Sequence, residues 1–163
     1  MAAIEMTPVE LQSLRQALEQ ETELAQRLYE VLAQEQQALE QMASEQIHEL
    51  AKLKTQLLMQ MDEKMAVRQK LMPNANPQNG LESFLEQAPE MVARVLRPVV
   101  EQFREWLYRC HRQNEVNGRI IAGSRRSVER SLNLLRGQNP DMVLYNAKGA
   151  ARPMGAYHRH ATA

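Results

Sequence analysis

The first third of the chain repeats an apolar residue at alternating steps of three and four positions. This spacing predicts a helix that packs along a coiled-coil seam. Thr7 can cap its first turn and Glu10 can reach back to Thr7, so the helix is expected to span residues 8–42. Charged residues interrupt the stripe only at Glu21 and Glu35, which predicts a loose seam. The stripe consists of Leu11, Leu14, Leu18, Ala25, Leu28, Leu32, Leu39 and Met42.

A second stripe follows Ser44, a plausible helix cap, and predicts a helix over residues 44–72. Residues 73–80 then bring two prolines and a glycine without a large apolar side chain, which predicts a loop. This loop is the clearest boundary in the sequence.

The remaining apolar positions predict a helix over residues 81–97 and a last long helix over 99–136, with Pro98 in a first turn or at a kink. Gly137 is expected to end the last helix. Residues 138–163 are rich in small, polar and turn-forming residues, which predicts a flexible tail. The expected fold is all-α. It is an elongated antiparallel helical hairpin or coiled-coil bundle of about three long helices in a single domain, residues 1–137, followed by that tail.

Composition and charge favour the same class. Aromatic residues make up 4% of the chain, and helix-forming residues outnumber β-branched ones. The net charge is zero, but residues 1–63 carry −8, residues 64–100 carry +2 and residues 101–163 carry +6. An acidic front and a basic back suit a chain that folds on itself or meets a mixed-charge protein. With no membrane-length apolar stretch and no leader pattern, we expect a cytoplasmic protein.

Candidate chemistry is sparse. Neighbours on a helix point about 100° apart, so Cys110 and His111 do not form a nucleophile and base, and a buried Cys110 is expected. His158 and His160 alone supply too few ligands for a zinc site. The sequence therefore predicts no catalytic residue, no metal and no cofactor.

Two asparagines, Asn114 and Asn117, interrupt the apolar face of the last helix. Buried amides fix helix register or bind a partner's backbone, whereas amides at the edge of a seam face water. The sequence leaves both alternatives open. Arginines between Arg104 and Arg136 favour a solvated face, with a phosphate-binding stripe as the less favoured alternative.

Particular blocks of the sequence resemble the FlgN family of flagellar export chaperones. They are the N-x-x-N-G-x-I-I block within QNEVNGRIIAGSRRSVERSLNLLRG, the later LYNAKG, and a front half with Glu35, Lys54 and the pair Leu57 and Leu58. The resemblance spans roughly residues 20–150. Its most specific positions are Asn114, Asn117, Gly118, Leu144, Tyr145 and Gly149.

This resemblance implies a cytoplasmic chaperone that binds the C-terminal helices of hook-associated proteins at the hook-filament junction and keeps them competent for export. It implies that Leu144 and Tyr145 dock to the type III export gate. The alternatives are a nucleic-acid-binding regulator that uses the arginines, and a self-associating structural coiled coil. The implied cargo-binding residues are Leu107, Asn114, Asn117, Gly118, Ile120, Ile121, Val128, Leu132 and Leu135.

Overall fold

The computed structural model describes residues 4–72, 80–137, 143–145 and 151–153. It contains four helices, α1 (Pro8–Glu40), α2 (Ser44–Leu71), α3 (Gly80–Gln87) and α4 (Glu90–Leu135), and two short strands, β1 (Val143–Tyr145) and β2 (Ala151–Pro153). The predicted all-α class is confirmed. The chain divides into two compact units, residues 1–118 and 119–163.

Both ends of α1 follow from local chemistry. The Glu10 backbone N–H donates to Thr7 Oγ1 at 3.3 Å, and the Thr7 N–H donates to Glu10 Oε2 at 2.7 Å. This confirms the predicted capping box. Helix α1 ends at Glu40, two residues before the predicted end, because Met42 turns the chain with a left-handed φ of 53°. The predicted cap at Ser44 is wrong, since Ser44 is already helical and Ala43 occupies the cap position.

Two ion pairs join α1 to α2, each between a buried glutamate and a partly buried cation. Glu21 Oε2 lies 2.6 Å from Arg68 Nε, and Glu35 Oε1 lies 2.6 Å from Lys54 Nζ. The partners are 14 residues apart on each helix, so both pairs belong to one antiparallel register. The prediction of a loose seam is therefore wrong, because each glutamate of α1 forms an ion pair with a basic side chain of α2.

The predicted boundary between two helices at Pro98 is also wrong. Helix α3 ends at Gln87, and α4 begins at Glu90 and continues through Pro98. The Ala93 N–H donates to the carbonyl of Pro89 at 3.0 Å, which makes Pro89 the residue that opens α4. Pro98 has the fixed φ of a helical residue and gives up one backbone hydrogen bond, which the helix tolerates in this sequence.

Helix α4 runs parallel to α1 within the first unit. The Cys110 thiol donates to the carbonyl of Ala25 at 3.2 Å, and seven residues later the Asn117 amide donates to the carbonyl of Leu32 at 2.8 Å. Helices α1, α2 and α4 therefore run up, down and up. One apolar cluster of buried residues brings together the first half of α1, the C-terminal end of α2, α3 and the first part of α4. It comprises Ile4, Leu14, Leu18, Ala25, Met72, Phe84, Leu85, Val92, Leu96, Val100 and Phe103.

Strands β1 and β2 belong to the second unit and pair antiparallel, with Leu144 opposite Arg152. The prediction of a flexible tail did not include this pairing of three residues on each side. The predicted flexibility of residues 138–142, 146–150 and 154–163 concerns positions outside the described residues.

Candidate partner-binding surfaces

The predicted cargo residues of the first unit have unequal exposure. Leu107 is 37% exposed, and Asn114 and Gly118 are exposed. Among the described residues, a Cβ at Gly118 would meet no atom within 4 Å apart from its chain neighbours and the nearby backbone of its own helix. Asn117 differs from all three, since it is only 1% exposed.

Asn117 is held by α1. Its amide nitrogen donates to the carbonyl of Leu32 at 2.8 Å and to Glu35 Oε2 at 2.7 Å, and its amide oxygen accepts from Gln113 Nε2 at 3.1 Å. Glu35 in turn pairs with Lys54, so this network joins three helices. A cargo cannot contact the Asn117 amide without displacing those bonds. Of the two alternatives for the asparagines, Asn117 takes the buried one and Asn114 the exposed one.

Replacing Asn117 by Ala is expected to lower the free energy of unfolding by about 1 to 3 kcal/mol, because a buried carbonyl and a buried carboxylate oxygen lose their donor. The matched change Asn114→Ala, on the exposed side of the same helix, should stay within about 0.5 kcal/mol of wild type. Urea unfolding followed by circular dichroism measures both. An Asn117→Ala variant that keeps full stability would contradict the structural role.

An apolar groove of about 230 Å³ lies beside Asn114 in the first unit. Leucines from α1 and α2 and Cys110 of α4 supply its apolar lining, and three polar side chains complete it. The sequence pattern did not single it out as a site, because a groove shared by three helices has no period along any one of them. Its lining residues are Leu28, Leu32, Lys54, Leu58, Cys110, His111 and Asn114.

The Cys110 thiol that lines this groove is expected to be a poor nucleophile. Cys110 is 6% exposed, and burial raises the pKa of its thiol from 9.0 to about 11. The reactive thiolate is therefore scarce at neutral pH. Within residues 4–72 and 80–137, no three His, Cys, Asp or Glu side chains gather as a metal site.

In the second unit, four of the five remaining predicted cargo residues form an exposed apolar stripe, defined as Ile121, Val128, Leu132 and Leu135. Their exposed fractions are 51%, 59%, 43% and 85%. Steps of seven, four and three residues place the four side chains on one face of α4. Ile120, beside the stripe, is half-buried.

The exposure of this stripe shows whether its residues belong to the protein's own core, which their spacing alone does not. A heptad position can belong either to a protein's own core or to a surface for a partner. Every residue from 121 to 132 is exposed, so Ile121 and Val128 are not core residues of this structure. Exposed apolar residues in a continuous row mark interaction surfaces more often than scattered ones do.

A family model described as FlgN protein matches residues 6–153. The chain belongs to the FlgN family. It is therefore a member of a family of flagellar export chaperones, and that family is not one of enzymes. No curated protein and no solved structure gives a significant match to this FlgN-family chain.

The match to FlgN extends over both units and includes β1. Leu144 and Tyr145, the predicted gate-docking residues, lie in β1, and their side chains are outside the described part of the structure. Among the helices described for this FlgN chain, none combines the length and apolar character that crossing a bilayer requires.

Proposed function

We propose that this chain is the export chaperone of hook-associated proteins at the hook-filament junction. In the cytoplasm it binds their C-terminal helical ends, keeps them from assembling too early and delivers them to the type III export gate. Membership of the FlgN family supports the general role. The choice of cargo and the delivery step are our proposal.

The observation that carries the proposal is the exposed apolar stripe of α4. An amphipathic helix recognises a partner by laying its own apolar positions against such a row at steps of three and four residues. Burial of each half-exposed stripe residue would contribute on the order of 1 kcal/mol. A terminus covered in this way cannot pack against the next subunit of a filament.

The choice of cargo is tested by pull-down. The chaperone is immobilised and offered the isolated C-terminal helices of each hook-associated protein at micromolar concentration. Retention of at least one of them is expected, while the same proteins lacking those helices should pass through. If no C-terminal helix is retained, the chain has another cargo.

Tyr145→Ala is expected to leave cargo affinity almost unchanged and to weaken docking to the export gate, and with it secretion. A single tyrosine adds a large contact area at the cost of few rotamers, which suits brief docking followed by release. Cargo affinity, gate binding and thermal stability are measured side by side.

Tyr157→Ala is the control, since Tyr157 lies in the same C-terminal region but beyond the residues that the family model matches. It should bind the gate as wild type does. A Tyr145→Ala protein with reduced stability and intact gate binding would instead assign Tyr145 to the chaperone's own fold.

A further inference from the structure

The exposed apolar stripe has two different edges. Arg125 and Arg136 each stand four residues after a stripe residue, about 40° further round the helix. On the other edge, Ser124 and Ser131 each stand three residues after one, about 60° away in the opposite sense. The stripe therefore lies between a basic edge and an edge of small hydroxyl side chains.

The surroundings of the stripe are strongly basic. Residues 119–137 contain five arginines and one glutamate, a net charge of +4. That glutamate, Glu129, pairs with Arg125 at 3.0 Å, and the two side chains are 56% and 81% exposed. An ion pair so open to water is weak and is easily exchanged for a partner's carboxylate.

We propose that the helix received by this stripe is acidic: an amphipathic partner helix whose apolar row is flanked by glutamate or aspartate on the side that meets Arg125 and Arg136. The inference rests on the proposed function and names the chemistry of its cargo. The small serines let the partner's backbone approach on their edge, while the arginines reach across to its carboxylates on the other.

A nucleic acid fits this surface less well than an acidic helix does. Proteins that hold single-stranded nucleic acid combine basic side chains with stacking aromatic residues, and residues 119–137 contain no aromatic residue. A flanking acidic row needs only the arginines beside the stripe. Arg119 and Arg130 stand two residues from a stripe residue, on the opposite face of α4, and should be indifferent to it.

The test uses the full chain and three synthetic helical peptides of about 20 residues, a length at which helices become stable. All three carry the same leucine row, and their flanking positions hold glutamate, glutamine or lysine. The glutamate peptide should bind about tenfold more tightly than the lysine peptide at low salt. The difference should largely vanish in about 1 M NaCl, where charges are screened beyond about 3 Å.

Two charge-matched double variants locate the effect. Arg125→Gln with Arg136→Gln should weaken the glutamate peptide about two- to fivefold for each arginine lost. Arg119→Gln with Arg130→Gln removes the same charge from the opposite face and should change the preference by less than about twofold. Both pairs are exposed, so the fold should be unaffected.

Four results would overturn the inference: equal binding of the three peptides, an equal loss in both double variants, tighter binding of a random DNA duplex than of the glutamate peptide, or a dimer of the chain that already covers the stripe. The pull-down with the C-terminal helices of hook-associated proteins distinguishes failure of the acidic-partner inference from failure of the proposed function. Hook-associated helices retained without any charge preference would leave the function standing and refute the acidic partner. A preference for the glutamate peptide without retention of the hook-associated helices would support the acidic partner and refute the proposed cargo.

Discussion

Arg68→Met is expected to lower the free energy of unfolding by about 3 to 5 kcal/mol. The Arg68 side chain is 12% exposed and its partner Glu21 is 3% exposed, so the variant leaves a buried carboxylate with no cation beside it. A loss of this size is a large part of the roughly 5 to 15 kcal/mol that holds a domain together. Urea unfolding monitored by circular dichroism measures it.

The double variant Glu21→Leu with Arg68→Met should be as stable as wild type or more stable by up to about 4 kcal/mol, since neither charge then needs burial. Burial raises the pKa of Glu21 above 4.5 in spite of the nearby Arg68, so ionising this carboxylate in the folded chain has a net cost. If the double variant is as unstable as the single one, packing and not charge explains the loss.

The raised pKa gives the sign of a pH effect. The folded chain takes up the Glu21 proton at a higher pH than the unfolded chain does, so the contribution of Glu21 to stability grows as pH falls through the folded pKa. It is complete below the unfolded value and is lost again as pH rises. The wild type should therefore gain stability relative to the double variant as pH falls from neutrality towards 4.5.

Ile121→Asp and Val128→Asp are each expected to weaken binding of the cargo helix by about 2 to 4 kcal/mol, roughly 30- to 1000-fold. Each change places a charge within the apolar stripe, where the partner would remove it from water. Both side chains are more than half exposed in the free chain, so its helicity should be unchanged. Titration calorimetry with the cargo helix and circular dichroism of each variant give the two quantities.

Ser127→Asp is the matched control. It adds the same charge one residue before Val128, which is about 100° away round the helix. Its effect on affinity should stay below about 1 kcal/mol. Full cargo binding by both stripe variants would place the cargo elsewhere on the chaperone. A loss of helicity in them would mean that the stripe supports the fold.

The fold follows from the sequence where local chemistry is strong. The capping box at Thr7 and the apolar periods of α1 and α2 predict helices close to those observed. The helix boundary predicted at Pro98 was wrong, because the residues packed around a proline decide whether it bends, starts or lies within a helix. Tertiary packing of Leu96 and Val100, both 1% exposed, keeps α4 continuous past it.

The candidate site was predictable in part. Spacing alone finds the row from Ile121 to Leu135, but its exposure depends on which stretches of α4 another helix covers. The same limit applies to Asn117, whose environment comes from Leu32 and Glu35, more than 80 positions away in the sequence. Long-range partners of this kind leave no trace in the pattern around the residue.

The buried ion pairs also restrict which helices can exchange with α2. Along one heptad position α1 alternates apolar and acidic residues, Leu14, Glu21, Leu28 and Glu35, while α2 alternates apolar and basic ones, Ile47, Lys54, Met61 and Arg68. A slip of one heptad would face each glutamate with an apolar side chain and leave two buried carboxylates without their cations. An invading amphipathic helix with an unbroken leucine row would do the same to both glutamates of α1. The alternation of charged and apolar positions therefore disfavours replacement of α2 by a foreign amphipathic helix.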